Sequence, residues 1–591
     1  MAACPTILQT GFAQVLFFPG FLSDSRSYMQ ALSSSLPRLV VACADTHAFL
    51  PLHKVQATRQ LEQQAAQALP PHTLMQRAGL AVARVALAVA PHARTIWIAC
   101  GYGNNGGDGL QAAACLQRWG KQVKVSTLAP QQAMPVDAQA AWQEAVAAGV
   151  CFVDKPPALH ADDLCIDALL GIGAHRAPDA AMQACLAAMR HSPAPVLAVD
   201  IPSGLLADTG TWADDASGDM PNDIPSVCAD HTVTLLTLKP GLFTAHGRDA
   251  AGQIWWHDLG VPTTAHTADA RLQGANLHAL SPTRAQQDVP VSPSSQLPQL
   301  PYASHKGRFG DVCVIGGDTG MQGAAILAGE AALHSGAGRV YVGLLHAPAP
   351  VVHDAGLMLR HVTDQQALAA LPCHQAVTVC GCGCGSAIAQ WLPDVLQQAP
   401  YLVLDADALN AIAASEPLQA LLRQRAARKA LTVLTPHPLE AARLLRRTAA
   451  AVQRDRLDAA HALAEAFQCI VVLKGSGSVC VMPAAYAGQT GTTATINYSG
   501  NARLATAGTG DVLAGCIGAY WAQARPFAQT ALPDAAWHTA WRACYAAVHA
   551  HGHAADQWNA CTMHGALSAQ RLARSLQRPD SDIWITLPNK Q

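Results

Sequence analysis

Charge is scarce in this chain. Only 13% of its 591 residues are Asp, Glu, Lys or Arg, and the formal net charge is −2. Near-neutrality leaves no electrostatic footprint for a polyanion, which excludes nucleic acid and an anionic membrane as expected partners. Long apolar runs are missing too: none reaches the ~18 residues a membrane-spanning helix needs. Val15-Leu16-Phe17-Phe18 has no basic stretch before it, so a secretory leader is not expected. The 18 cysteines show no paired spacings, and Cys100, Cys165, Cys313 and Cys469 sit in apolar runs where cysteine packs as a small hydrophobe. A disulfide scaffold gives way to a reducing, cytoplasmic setting. Cys380, Cys382 and Cys384 alternate with glycine, but the second ligand pair that a zinc site wants is absent. Also absent are a G-x-x-x-x-G-K-[ST] loop, which disfavours an ordinary P-loop NTPase, and any repeat of ~20–50 residues.

What is present is a large apolar stock, 50% of the chain, enough for sizeable cores. The length exceeds one ordinary domain of ~100–200 residues. His53 to Leu69 reads as a helix ended by Pro70-Pro71. Thr73 to Ala90 reads as a second, with Leu74, Met75, Ala78 and Val82 on neighbouring faces. Strand-type runs follow at 95–100, 123–128, 164–170, 196–200 and 233–237, with Ala-rich helical stretches between them. Such alternation predicts a doubly wound sheet between helix layers. Pro and Ser then punctuate 271–304, a linker by composition. A second alternation has strands at 311–317, 339–343, 376–380, 401–405, 432–434 and 469–473 and a small-residue helix at 324–334. The expected organisation is an extension over 1–47, an α/β domain over 48–270, a linker over 271–304, a second α/β domain over 305–578 and a tail over 579–591.

The strand ends carry the chemistry. Gly103-Asn104-Asn105-Gly106-Gly107-Asp108-Gly109 follows the 95–100 strand and leads into a helix-like 110–119, a unit that holds phosphates at strand C-termini. Asp167 precedes Ala168-Leu169-Leu170-Gly171, and Asp200 precedes Ile201-Pro202-Ser203-Gly204; shaping a turn is the plain alternative for Asp200. In the second half, loops at 381–385, 405–407, 474–478 and 508–511 follow strands and should converge on one sheet edge. Backbone donors, a lysine and an acid together are what phosphoryl transfer needs. Gly508-Thr509-Gly510-Asp511 opens a helix with Leu513, Ile517 and Tyr520 on one face, presenting free N–H groups and a positive dipole end. An aspartate there repels phosphate unless it works as a base. Capping the helix is its other reading.

These segments resemble two known families. The C-terminal half is similar to ribokinase-like ADP-dependent NAD(P)HX dehydratases through His305-Lys306-Gly307, Gly323-Ala324-Ala325, Gly336-Ala337-Gly338, Asp405-Ala406-Asp407-Ala408-Leu409-Asn410, Thr435-Pro436-His437-Pro438-Leu439-Glu440, Leu473-Lys474-Gly475 and Gly508-Thr509-Gly510-Asp511. The N-terminal half resembles NAD(P)HX epimerases through Leu74-Met75-Gln76-Arg77-Ala78-Gly79, the Asn104–Asp108 loop, Asp167-Ala168-Leu169-Leu170-Gly171 and Val199-Asp200-Ile201-Pro202-Ser203-Gly204. The resemblance implies two doubly wound three-layer αβα domains, the first Rossmann-like and the second ribokinase-like. It also implies an activity: reduced nicotinamide cofactors become hydrated on the ring, and the two domains would epimerise the R and S hydrates and dehydrate the S epimer with ADP, releasing AMP and phosphate.

Residue by residue, the resemblance places Asn104, Asn105, Gly106, Gly107, Asp108, Gly171, Ile172, Gly173, Ala174, His175, Arg176, Ala177 and Asp200 at the epimerase substrate, with Asp200 as candidate acid–base group. Asn105, Asp167 and Ser203 match a potassium site. Ala324 or Ala325, Gly385, His437 and Asp511 line the dehydratase substrate site, with Asp511 as base, and a plain turn role is the alternative for His437. Lys474, Gly475, Ser476, Gly477, Ser478 and Gly510 meet the nucleotide. Mg2+ in the dehydratase domain, ADP as co-substrate, NADHX and NADPHX as substrates, and a homo-oligomer belong to the same implication. The chain departs from the dehydratase pattern at Gly381-Cys382-Gly383-Cys384-Gly385, where Gly-Pro-Gly-Leu-Gly is usual, at Ala507, where glycine is usual, and at Asn501-Ala502-Arg503. His549, His551, His553, Cys544, Cys561 and His564 cluster near a His551-Gly552-His553-Ala554-Ala555-Asp556 segment of helix-packing type. The alternative function is a small-molecule hydroxyl kinase of the hydroxymethylpyrimidine or thiazole type, with a noncatalytic N-terminal ligand-binding domain.

Overall fold

A computed structural model describes residues 36–43, 45, 48–128, 134–213, 228–262, 268–279, 304–346, 354–486, 492–525, 534–560 and 565–579. The chain forms two compact units, one from residues up to 41 with 50–269 and 276–292, the other from 42–49, 270–275 and 293 onward.

In the first unit a nine-stranded sheet is built from β1 (Arg38–Ala42), β3 (Thr95–Cys100), β4 (Gln122–Thr127), β5 (Cys151–Phe152), β6 (Leu164–Ala168), β7 (Val196–Val199), β8 (His231–Leu235), β9 (Gln253–His257) and β11 (Ala275–Ala279); β2 (Phe49–Leu52) and β10 (Ala270–Gln273) belong to the other sheet. The order is β11-β1-β9-β8-β7-β6-β3-β4-β5. From β9 to β5 every pairing is parallel. Both faces of β3 are covered, which explains its unbroken apolar run. Ile96, Ile98 and Cys100 enter the core beneath the helices Thr73–Val89 and Asn104–Arg118, while Trp97 and Ala99 enter a second core against Ala180–His191.

The second unit holds β12 (Asp311–Gly316), β13 (Arg339–Leu344), β14 (Leu357–His361), β15 (Val377–Cys380), β16 (Tyr401–Leu404), β17 (Leu431–Leu434), β18 (Ile470–Leu473), β19 (Val479–Val481) and β20 (Ala494–Asn497). Its sheet runs β14-β13-β12-β15-β16-β17-β18-β19-β20-β10-β2. Strands β14 to β18 pair in parallel, and β18-β19-β20 form an antiparallel meander. The helix Thr509–Ala524 crosses Gln322–His334 at close range: a Cβ on Gly515 would lie 2.0 Å from the Ala328 carbonyl oxygen. Among the described residues no helix is long and apolar enough to cross a membrane.

Three expectations need correction. The helix expected from 110 begins at Asn104, so the Asn-Asn-Gly-Gly-Asp segment opens that helix and is not a loop. Its glycines serve close packing. A Cβ on Gly106 would meet the Gly101 carbonyl oxygen at 2.3 Å, and one on Gly109 the Ala168 Cβ at 2.6 Å. The expected extension over 1–47 contains β1, paired antiparallel with β9. The expected linker over 271–304 begins inside β10, which pairs in parallel with β20, and also contains β11. Strands of only four or five residues, of mixed polar and apolar composition, carry too little periodicity to stand out.

Candidate active sites

In the first unit a cavity of about 430 Å3 opens at the C-terminal edge of the sheet. Asn104, Asn105 and Asp108 reach it from the start of the helix after β3, and Gly171 to Ala174 from the loop after β6. Asp200 lies just beyond β7, and a lysine the sequence did not single out, Lys239, lies beyond β8. Of the other expected residues, Gly106 and Gly107 are buried beneath the cavity. His175 lines a separate shallow groove, and Arg176 and Ala177 line neither.

Asp200 is more than a turn residue. It holds a left-handed φ of 68°, a conformation that non-glycine residues adopt at a cost. Its Oδ1 accepts from Lys239 Nζ at 2.5 Å and from the Leu235 amide at 3.2 Å, while Oδ2 accepts only a long bond, 3.3 Å, from the Ile172 amide. Lys239 is fully buried and gives its other N–H groups to Thr234 Oγ1 at 3.0 Å and the Leu235 carbonyl at 2.6 Å. Three further carboxyls line the cavity: Glu62, Asp108 and Asp137. Burial, reinforced by Asp200, Glu62 and Asp137, pushes Asp108 well above the usual carboxylate range. Burial and Asp200 also raise Glu62, which the sequence did not single out.

Asp167 and Ser203 meet behind this cavity. The Ser203 hydroxyl donates to Asp167 Oδ1 at 2.6 Å, and the Ser203 amide donates to Oδ2 at 2.9 Å. Burial raises the Asp167 carboxyl against those bonds and the Leu169 amide, and none of the groups acting on it carries positive charge. Asn105 has a buried amide nitrogen without a partner.

In the second unit Asp405, Lys474, Gly510, Asp511 and Cys382 converge. Lys474 Nζ donates to Asp405 Oδ1 at 2.6 Å, and a Cβ on Gly510 would lie 3.3 Å from that ammonium. Burial opposes the lysine's charge, yet Asp405 and Glu440 outweigh it and hold its pKa above the usual value. Cys382, Asp405 and Asp511 bring one ligand atom each within 4.8 Å of one another. Cys380 and Cys384 do not join them there. Asp511 stands in the first turn of Thr509–Ala524, which has no side-chain cap, so the capping alternative falls. Burial, then the Asp405 charge, raises its pKa to about 6, and a hydrogen bond with Cys382 works the other way.

The loops are shaped for close approach. Gly381 has φ 124°, and a Cβ there would lie 1.9 Å from the Asp405 carbonyl oxygen. The Gly385 amide donates to Asp407 Oδ2 at 2.8 Å. Gly475 has φ 143° and lies against the buried guanidinium of Arg456, which donates to the Leu473 and Lys474 carbonyls. Ala325 is fully buried under Gly316 and Gly317, so Ala324 is the member of that pair with surface to offer. His437 caps the helix Pro438–Leu445, its Nδ1 accepting from the Leu439 and Glu440 amides, and its ring stays half-exposed. Glu440, missed in the sequence, returns a bond to the His437 amide; burial lifts it to about 7.

Of the histidine cluster, Cys561 and His564 lie outside the described residues. His551 donates from Nε2 to the Thr509 carbonyl at 3.0 Å, and burial lowers its pKa to about 4. Asp556 accepts from the Gly500 amide and Asn501 Nδ2, and a Cβ on Gly552 would strike Ser499 Oγ at 2.4 Å. The segment packs the helix against the 499–501 turn, and none of its residues falls in a metal-type cluster among the described residues.

A parallel sheet with a ligand cavity at its C-terminal edge, and a second with a lysine, an acid and glycine loops at one helix N-terminus, define a two-domain α/β enzyme. Comparison with known proteins narrows the class. A family profile described as NAD(P)H-hydrate dehydratase matches residues 312–578, and one described as YjeF-related protein N-terminus matches 71–241. The bifunctional NAD(P)H-hydrate repair enzyme of Escherichia coli is 34% identical over 76% of this chain and 81% of its own length. That of Leishmania braziliensis is 36% identical over 78% of this chain and 82% of its own. A Bacillus subtilis ADP/ATP-dependent NAD(P)H-hydrate dehydratase is 27% identical, covering 49% of this chain and 94% of its own, with a TM-score of 0.38. The chain belongs to the bifunctional NAD(P)H-hydrate repair enzymes. The hydroxyl-kinase alternative is set aside.

Proposed function

We propose that this chain repairs hydrated nicotinamide cofactors in two steps, the first unit interconverting the R and S epimers of NADHX and NADPHX and the second dehydrating the S epimer with ADP. The observation that carries the second step is Asp511, a half-buried carboxyl of pKa about 6 beside the Asp405–Lys474 ion pair. Above that pH it is an ionised base at a helix N-terminus. It takes the proton of the hydrate's hydroxyl, the oxygen bonds to the terminal phosphorus of ADP, and AMP leaves. Phosphate then departs with the C–O electron pair while the adjacent carbon loses a proton, restoring the dihydronicotinamide. Backbone N–H groups at Gly508 and Gly510 favour the transferred charge, and the 474–478 loop receives the nucleotide.

Epimerisation needs the opposite start. A protonated Asp108 gives its proton to the departing hydroxyl, which leaves as water, and the ring nitrogen's lone pair forms the cation. Water then adds from the other face and returns a proton. Asp200 faces that cation with its Oδ2.

Potassium and magnesium belong to the same proposal. A buried Asp167 carboxylate without positive company, a serine hydroxyl and an amide free to turn its oxygen suit a hard monovalent cation. Asp405 and Asp511 offer oxygens of the type Mg2+ takes with nucleotide phosphates, whereas the Cys382 sulfur does not. A cytoplasmic setting is part of the proposal, supported by free and mostly buried cysteines throughout the described chain, and so is a homo-oligomer, which light scattering on the purified chain tests. The deciding assay supplies hydrated NADH with ADP and follows the return of NADH absorbance. No recovery with ADP or ATP overturns the function.

A further inference from the structure

We propose that Lys239 is the positioning residue of the epimerase site, holding Asp200 as a carboxylate with Oδ2 aimed at the hydrate. This rests on the role given to Asp200 above. The geometry is specific. Lys239 Nζ has three N–H groups, and three acceptors take them: Asp200 Oδ1, Thr234 Oγ1 and the Leu235 carbonyl. A saturated ammonium has no hydrogen left for substrate, so it acts through Asp200 and not on the hydrate itself. By occupying Oδ1, with help from the Leu235 amide, it leaves Oδ2 as the oxygen with the weaker engagement. The backbone at Asp200 is held in its left-handed conformation by its own amide donating to the Val233 carbonyl at 2.7 Å, so lysine and backbone fix the carboxylate together.

Charge supplies a second reason. Helix Val55–Ala68 brings Glu62 and Arg59 to this cavity, helix Asn104–Arg118 brings Asp108, and helix Val136–Ala147 brings Asp137. Four carboxyls and one other cation surround the site, and Lys239 is the buried cation in contact with Asp200. Like charges in one cleft repel, and the ion pair with Lys239 offsets that repulsion at Asp200. The ion pair suits Asp200 to stand beside the cation that forms on the hydrate, while Asp108 supplies the proton in the proposed epimerisation, the division of labour that acid–base catalysis uses.

The test measures the approach of purified (R)-NADHX to the epimeric mixture as a function of pH in the full chain. K239M, K239R and D200N are compared with the wild type, and dehydration of purified (S)-NADHX serves as the internal control. Limited proteolysis of residues 50–269 checks that each variant is folded. K239M should slow epimerisation by about 100-fold near neutrality, the scale of one acid–base contribution, and its acid limb should move to higher pH. K239R, keeping the charge, should retain the wild-type pH profile at a reduced rate. (S)-NADHX dehydration should be unchanged in all three. Should K239M fail to fold, the K239R profile decides, and an acid limb displaced in K239R overturns the proposal. A folded K239M with wild-type rates, or with a loss equal at every pH, overturns it as well while D200N is inactive. An active D200N removes Asp200 from the reaction and the proposal with it.

Discussion

Asp511→Asn should kill dehydration and, unusually for a buried active-site change, make the second unit more stable. The Asp511 carboxyl has a pKa of about 6 against an ordinary 3.8, because burial and the Asp405 charge penalise its ionised form. At 1.36 kcal/mol per tenfold change, ionising it in the folded protein costs about 3 kcal/mol more than in the unfolded chain. The sign follows from proton counting. Between 3.8 and about 6 the folded state binds more protons than the unfolded one, so this group's contribution is fully present below 3.8 and lost as pH rises through 6. Asparagine never ionises, so the variant escapes the penalty: about 3 kcal/mol at pH 8, falling to roughly half that at pH 5. His551 titrates in the opposite sense, its pKa lowered to about 4, so wild-type stability alone would not isolate the effect. The difference between variant and wild type at each pH does, because His551 is common to both. Hydrogen-exchange mass spectrometry on peptides from Thr509–Ala524 reads that difference, since intrinsic exchange rates cancel at matched pH. Equal protection at pH 8, or a gap that does not narrow toward pH 5, refutes the desolvation argument.

Cys382→Ala removes the hydrogen bond that favours the ionised Asp511, so the acid limb of (S)-NADHX dehydration should move to higher pH with the plateau rate little changed; a limb moved to lower pH contradicts the assigned bond. Gly381→Ala puts a Cβ 1.9 Å from the Asp405 carbonyl oxygen at φ 124°, and should cost more than about 2 kcal/mol while displacing Asp405. Dehydration should be lost and epimerisation kept, as tested on separate R and S epimers. Ser203→Ala removes a hydroxyl from the Asp167 cluster and should weaken the response of epimerisation to added K+ by ~10-fold or more, read against a Na+ control at constant ionic strength. A response equal to wild type excludes Ser203 as a ligand.

Much of the fold was legible because buried parallel strands are continuous apolar runs bounded by turn residues. Thr95–Cys100 and Arg339–Leu344 lie where periodicity put them, as does the helix from Thr73. Acids and glycines at strand ends likewise announced both sites, since parallel strands deliver their C-termini to one edge. What escaped was written in three dimensions. Lys239 sits outside any recognised motif, and only the adjacency of β7 and β8 brings it onto Asp200. Glu62 lies on a helix face that reads as ordinary amphipathic pattern. Arg456 stands 18 residues before the loop whose carbonyls it holds. The Asn104 segment was misjudged because glycine and asparagine normally mark loops, whereas here close packing against Gly101 and Ala168 demands residues without side-chain bulk.

The two units have different sheets yet solve one electrostatic problem alike. Each puts an aspartate just past a central parallel strand, Asp200 after β7 and Asp405 after β16, and bonds it to a lysine from a nearby strand end, the buried Lys239 or the half-buried Lys474. Each then places a second carboxyl at a helix start in the same cleft, Asp108 or Asp511. Two carboxyls in one cleft compete for protons, and in each unit burial and the neighbouring acids raise the pKa of the one not bonded to lysine. Burial, then Asp200, Glu62 and Asp137, pushes Asp108 well above the usual range against the pull of Lys239, and in the proposed epimerisation it serves as the acid. Asp511 reaches only about 6 and has a cation, Lys474, and a thiol acting to lower it, so at neutral pH it starts as a base. Those starting states match the two chemistries. A hydroxyl that must leave as water needs a proton delivered to it, and a hydroxyl that must attack phosphorus needs one removed.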